Sequence, residues 1–214
     1  MAKITIIGGH GKVALRLARL LSAVGHEVHS WVRNPDHGAD VAAAGGTAVV
    51  ADLETMSVEQ MAELLRGKDA VVWSAGAGGG DPKRTYAVDR DAAIRSMSAA
   101  EQAGVRRYVM VSYFYDRPDH GVPEDSSFYP YAEAKAAADG RLQASGLDWT
   151  ILGPSALRDE PGGSRIETGA GVAKSSVSRD DVAAVAAYVL DHPETAGRVI
   201  DFNGGDAPIA EVLG

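Results

Sequence analysis

Short β-branched runs alternate with longer segments of helical spacing from one end of this chain to the other, and that alternation admits few folds. Strands are expected near Lys3–Gly8, Glu27–Val32, Thr47–Ala51, Ala70–Trp73, Arg107–Val111, Trp149–Leu152 and Val199–Phe202. Helices are expected over Lys12–Val24, Val58–Arg66, Arg84–Ala103, Tyr129–Ser145 and Arg179–Asp191. Parallel strands need a long crossover, usually helical, so the pattern predicts an α/β fold with a doubly wound parallel sheet of about seven strands and helices on both faces. Three helix ends carry Gly, in Ala23-Val24-Gly25, Gln102-Ala103-Gly104 and Ala144-Ser145-Gly146, where a chain leaving a helix needs a stop.

A length of 214 residues suits one large domain, since two halves would each bury little core. The expected domain spans residues 1–214, with a small substrate-side region near 154–178. Cysteine is absent, which excludes disulfide and thiolate chemistry. The net charge of −8 argues against a nucleic-acid partner but leaves room for an anionic ligand, because phosphates are held by local N–H groups and one or two cations. Six histidines lack ligand spacing, so no metal site is expected. No signal peptide or spanning segment is read, and a cytoplasmic protein without membrane contact is the expectation; the oligomeric state stays open.

Ile6-Ile7-Gly8-Gly9-His10-Gly11-Lys12-Val13-Ala14 joins the first strand to the first helix. Gly8 permits a tight turn, Gly11 lets the backbone approach a pyrophosphate at the helix N-terminus, and Ala14 lets helix and strand pack closely. The spacing is Gly8-x-x-Gly11-x-x-Ala14, so it departs from GxGxxG. In the first βα unit of this pattern it predicts a Rossmann-type site for a nicotinamide dinucleotide. Gly8, Gly9, His10, Gly11, Lys12 and Val13 are the expected contacts.

The tip of the second strand distinguishes the two dinucleotides. An acid there would accept from a ribose 2′-OH, but Trp31-Val32-Arg33-Asn34-Pro35 offers none. Arg33 stands where a 2′-phosphate would lie, with Lys12 as a possible helper, which favours NADP(H) over NAD(H). A solvated Arg before a turn is the other reading. Asp52 and Leu53 after the third strand, and Ser74, Ala75 and Gly76 after the fourth, fit the adenine and ribose. Gly153 and Pro154, after the sixth strand, complete the expected cofactor contacts.

Two polar stretches, Ser112–Phe128 and Pro154–Ser178, follow carboxyl ends of strands, the edge where such sheets bind ligands. After the first comes Tyr131-Ala132-Glu133-Ala134-Lys135, with Tyr and Lys four apart on one helical face. A neighbouring ammonium is expected to lower the phenol pKa from about 10, fitting Tyr131 to exchange a proton with a carbonyl or alcohol oxygen. Lys135 is also expected to hold the nicotinamide ribose, and Ser112 to hydrogen-bond the reacting oxygen. The alternative is a packed Tyr131 and a solvated Lys135. Tyr113, Tyr115 and Tyr129 are either loop packing or pocket walls.

Together these residues, with Val88-Asp89, Ala103-Gly104-Val105-Arg106-Arg107-Tyr108-Val109, Gly146-Leu147-Asp148-Trp149-Thr150-Ile151-Leu152 and Ser178-Arg179-Asp180-Asp181-Val182-Ala183, resemble the short-chain dehydrogenase/reductase superfamily. The closest resemblance is to its atypical NAD(P)H-binding branch, with the nitrogen-metabolite-repression-regulator-like proteins and the biliverdin and flavin reductases. It implies a seven-stranded parallel sheet and a catalytic set of Ser112, Tyr131 and Lys135. One departure is Gly153 before Pro154, where the family often has Arg. The leading expectation is an NADP(H)-dependent oxidoreductase acting on a small carbonyl or alcohol, quinone-like or flavin-like substrate. A non-catalytic NADP(H) sensor and an NAD-dependent epimerase or dehydratase are the alternatives.

Overall fold

The structure is a computed structural model and describes residues 1–78, 80–115, 120–169 and 171–214. Parts of both polar stretches, at 116–119 and at 170, therefore lie outside the described residues.

The first half is a run of βα units: β1 (Lys3–Ile7), α1 (Lys12–Ala23), β2 (Glu27–Val32), α2 (Gly38–Ala43), β3 (Thr47–Val50), α3 (Val58–Leu65) and β4 (Ala70–Trp73). The second continues through α4 (Pro82–Thr85), α5 (Ala93–Ala103), β5 (Arg107–Val111), α6 (Tyr129–Gln143), β6 (Asp148–Pro154), β7 (Ala156–Arg158), β8 (Arg165–Thr168) and β9 (Ser176–Ser178). It ends with α7 (Arg179–Asp191), β10 (Arg198–Gly204), β11 (Ala207–Pro208) and α8 (Ile209–Leu213). The main sheet has the order β11-β8-β10-β6-β5-β4-β1-β2-β3. The seven expected strands, β3-β2-β1-β4-β5-β6-β10, pair in parallel throughout. This is a Rossmann-type α/β domain.

Both sheet faces are buried, and the period of two assigns side chains to them. Ile4, Ile6, Ala70 and Val72 enter the core layer that also holds apolar side chains of α1, α7 and α8. Ile7, Val71 and Trp73 point the other way, to the layer with side chains of α3, α5 and α6. Each fully buried Val or Ile contributes about 1.5–3 kcal/mol relative to exposure, so near-continuous apolar runs suit strands covered on both sides. The register brings Ile7 level with Trp31 on β2 and with Trp73 on β4. Three strand tips thus open onto one crevice at the point where the strand order reverses, which is where such sheets receive ligands.

Several local expectations are corrected. Gly25 and Gly104 take positive φ values of 87° and 75° as helix stops, but Gly146 does not. There the turn uses Ser145, whose hydroxyl donates to the Leu142 carbonyl at 2.6 Å. The helix expected from Arg84 begins at Pro82, with the Asp81 carboxylate accepting from the Lys83 N–H at its start. It then widens into a π-helical stretch at Tyr86–Ala92 before α5. The stretch expected as a loop at 154–178 contains β7, β8 and β9, with β8 antiparallel to β10 and β11 antiparallel to β8. No helix among the described residues is long and apolar enough to cross a membrane.

Candidate active site

The β1–α1 loop forms a cradle that side chains would fill. Gly8 has φ +85°, and a Cβ there would lie 2.5 Å from the Ala75 Cα and 2.6 Å from its nitrogen. A Cβ at Gly9 would meet the Ser30 Cβ at 2.4 Å. Gly9 is thus bare because the loop lies against β2, to which its N–H donates at the Trp31 carbonyl. Gly11 caps α1 in extended geometry without a side-chain hydrogen bond, and the first turn carries no acid. The N–H groups of that turn and the positive end of the helix dipole are left for an anion.

Beyond the cradle a groove of about 510 Å³ runs along the strand tips. Gly8, His10, Gly11, Arg33, Asp52, Leu53, Ser74, Ala75 and Gly76, all named from the sequence, line it. These residues fit a dinucleotide: bare amides where a diphosphate would sit, cations beyond β2, and small residues after β4 where a ribose would pass.

Other expected contacts lie elsewhere. Gly9 is beneath the loop, and the Val13 side chain is buried in the core. Lys12, expected to assist Arg33, directs its ammonium to Asp159 at 2.6 Å, and Arg179 reaches that same carboxylate at 3.1 Å. Opposite charge across the start of α1 draws it away from β2. Gly153 and Pro154 are the last residues of β6, away from this groove. The Asp201 carboxylate occupies the space a Cβ on Gly153 would need, and the Pro154 carbonyl accepts from the Phe114 N–H.

The groove also has residues the sequence reading missed. Arg33 donates to Glu54 Oε1 at 3.1 Å, and Arg84 donates to the same oxygen at 2.9 Å. His10 and His37 stack with centroids 3.5 Å apart, and His10 Nε2 lies 2.8 Å from Asp40. Arg84 and His37 have no spacing signal in the sequence, since the fold alone brings α4 and the segment after β2 to β3.

Where β5 meets α6, Ser112, Tyr131 and Lys135 gather around a fourth residue, Asp139. Tyr131, Lys135 and Asp139 recur every four positions, so one face of α6 presents all three. That spacing was the available signal for Asp139. Ser112 Oγ donates to Asp139 Oδ2 at 2.5 Å, and the Tyr115 hydroxyl donates to the same oxygen at 3.0 Å. Lys135 is buried and donates to the Val111 carbonyl at 2.9 Å. Its charge acts on Asp139 and also on the buried Asp89, which the π-helical stretch holds beneath Gly76. Burial raises the pKa of both acids, opposed by Lys135, and Asp139 reaches about 6.

The expected acidification of Tyr131 is reversed. Burial pushes its phenol pKa upward, and the charges of Asp89 and Asp139 push it further. Lys135 is four residues away on the helix, but its ammonium is buried and donates to the Val111 carbonyl. Around Tyr131 stand Phe128 and Tyr113, with ring centroids 5.2 Å and 5.5 Å away, and Tyr115 leans on Tyr113 at 5.0 Å. Among the described residues no cluster of His, Asp or Glu could hold a metal ion.

Comparison with known proteins agrees with this geometry. A family model described as NAD(P)H-binding matches residues 8–193. The uncharacterized sugar epimerase YhfK of Bacillus subtilis is 38% identical over 213 residues, covering 99% of this chain and 98% of its own. A Bacillus halodurans structure assigned as an NAD-dependent epimerase/dehydratase is 33% identical with a TM-score of 0.90, covering 99% of this chain and 98% of its own. The oxidoreductase YlbE of Lactococcus lactis superposes with a TM-score of 0.85 at 27% identity, covering 99% and 94%. The chain belongs to the NAD(P)H-binding family of atypical short-chain dehydrogenases/reductases.

Proposed function

We propose that this protein is an NADP(H)-dependent reductase of a small carbonyl, quinone-like or flavin-like compound. The observation that supports it most is the phenol of Tyr131, kept protonated by burial and by the charges of Asp89 and Asp139. A phenol whose pKa is raised is a poor base near neutral pH but still a stronger acid than an alcohol. It is therefore suited to give its proton to an oxygen that is gaining negative charge.

The nicotinamide, when bound, would supply the hydride. Gly8, Gly11 and the first turn of α1 would hold the diphosphate, Ser74, Ala75 and Gly76 would border the ribose, and Asp52 and Leu53 the adenine. Arg33 would take the 2′-phosphate, exchanging Glu54 for a more highly charged partner. Ser112 would steady the substrate oxygen while Tyr131 protonates it. Lys135 holds the β5 end through Val111 and balances the two buried acids. Tyr113, Tyr115 and Phe128 would form walls for a planar substrate. The residues near 154–178 would form the substrate side, with Lys174 Nζ 5.0 Å from the Tyr113 ring centre.

Arg33→Ala should weaken NADPH about tenfold or more, the loss of one charge-assisted contact, and leave NADH nearly unchanged. Titration calorimetry with both nucleotides checks this; equal losses would remove Arg33 from 2′-phosphate recognition. For the activity, NADPH absorbance is followed against a panel of quinones, flavins and aldehydes. Oxidation with at least one class is the expected result, and none with any would defeat the reductase reading.

The relatives' names favour a second reading, epimerase or dehydratase chemistry with retained NAD. That chemistry begins with proton removal from an alcohol, for which the raised phenol pKa is unfavourable. Purified protein carrying tightly held NAD would support this reading instead.

A further inference from the structure

The Ser112 hydroxyl has one hydrogen, and in the structure it points at Asp139 rather than toward the groove. While Asp139 is ionised it accepts only, and it draws the hydrogens of Ser112 and Tyr115 together onto Oδ2. A Ser112 so engaged can accept from a substrate but cannot donate to its oxygen. The other carboxylate oxygen, Oδ1, is buried without a hydrogen-bond partner among the described residues. An ionised carboxylate with half its acceptors unused is costly to bury, whereas a protonated one is not.

We infer that Asp139 is a positioning residue that sets the direction of the Ser112 hydroxyl, and that Ser112 becomes a donor to substrate when Asp139 carries a proton. This rests on the reductase reading above. With its proton, Asp139 donates to Ser112 Oγ, and the Ser112 hydrogen turns outward to the substrate oxygen. The proton on Asp139 is not consumed; only hydrogen-bond directions change, while the proton delivered to product comes from Tyr131.

Of the groups facing Asp139, Asp89 is also an acid raised by burial, but Asp139 is the one bonded to Ser112. On α6 the facing groups are Lys135, whose charge acts on Asp139, and Tyr131, whose phenol stays protonated. From the β5 side come Ser112, Tyr113, Tyr115 and Tyr108, with every one of these tyrosines raised by burial. Asp89 lies beyond Lys135, and Asp201 on β10 acts on Tyr115. The Asp139 pKa of about 6 then places the turning point just below neutrality.

Two measurements test this. In the first, kcat/KM for wild type should rise about tenfold or more from about pH 8 to about pH 5, the scale of gaining one oxyanion donor. Asp139→Asn, whose amide nitrogen in the place of Oδ2 donates to Ser112 and to the Tyr115 oxygen at every pH, should hold the high value throughout. A merely structural Asp139 would leave Asp139→Asn with the wild-type pH slope or uniformly impaired, and either result overturns the inference. The second needs no turnover. The infrared band of the protonated carboxyl should titrate near pH 6, vanish in Asp139→Asn, and shift its midpoint upward in Ser112→Ala. An unmoved midpoint in Ser112→Ala would overturn the inference. Absence of turnover in wild type would count against the reductase reading, while the infrared arm would still decide the direction of the bond.

Discussion

Tyr131→Phe is expected to lower kcat by about 10²–10⁴-fold, the range for removing a general acid, while NADPH affinity stays within about twofold. The split follows from geometry. The Tyr131 ring packs against Phe128 and Tyr113, contacts that Phe retains, and it does not line the cofactor groove. Only the proton on its oxygen is lost. Steady-state kinetics with the best substrate of the panel, beside calorimetry with NADPH, separate the two effects. Turnover near the wild-type value would show that the proton comes from elsewhere. A large loss of cofactor affinity would mean that the ring has a different place in the complex.

Gly8→Val should abolish measurable binding of either nucleotide, with affinity falling by about 100-fold or more. A Cβ there meets the Ala75 backbone at 2.5 Å, which cannot swing aside as a flexible side chain could. Valine is also poorly tolerated at φ +85°. The loop must move, and the N–H groups aimed at the diphosphate move with it. Strain and displacement together cost about 2–3 kcal/mol, so the melting temperature should fall by about 5–10 °C. Gly25→Ala is the control, since Gly25 has a similar φ of +87° but open space around it. It should lose some stability and keep full binding. If Gly8→Val bound NADPH as wild type does, the cradle would not be the diphosphate site.

The parallel sheet and the glycine turn were legible because local rules and the global fold agree. Each run such as Ala70–Trp73 is apolar on both faces, which only a sheet covered on both sides accommodates. Gly8 announced its turn because few other residues adopt that conformation. Arg33 was readable because the tip of β2 is close in sequence to the strand that positions it. Less was readable where partners come from distant segments. Nothing near Lys12 indicates that Asp159 and Arg179 would draw its ammonium away. Likewise the tyrosine–lysine spacing suggested an acidified phenol, but the actual direction is set by burial and by nearby acids. Burial of the phenol, and then the charges of Asp89 and Asp139, reverse the expectation. The strands within 154–178 were hidden because short edge pairings in a Gly- and Ser-rich segment are set by the neighbouring β10 more than by their own propensity.

The account is tested most directly by calorimetric titration of the purified protein with NADPH and, separately, NADH. It predicts saturable binding at one site per chain, with NADPH about tenfold or more the tighter of the two. No binding of either would contradict it at its base, and a preference for NADH would contradict the role given to Arg33.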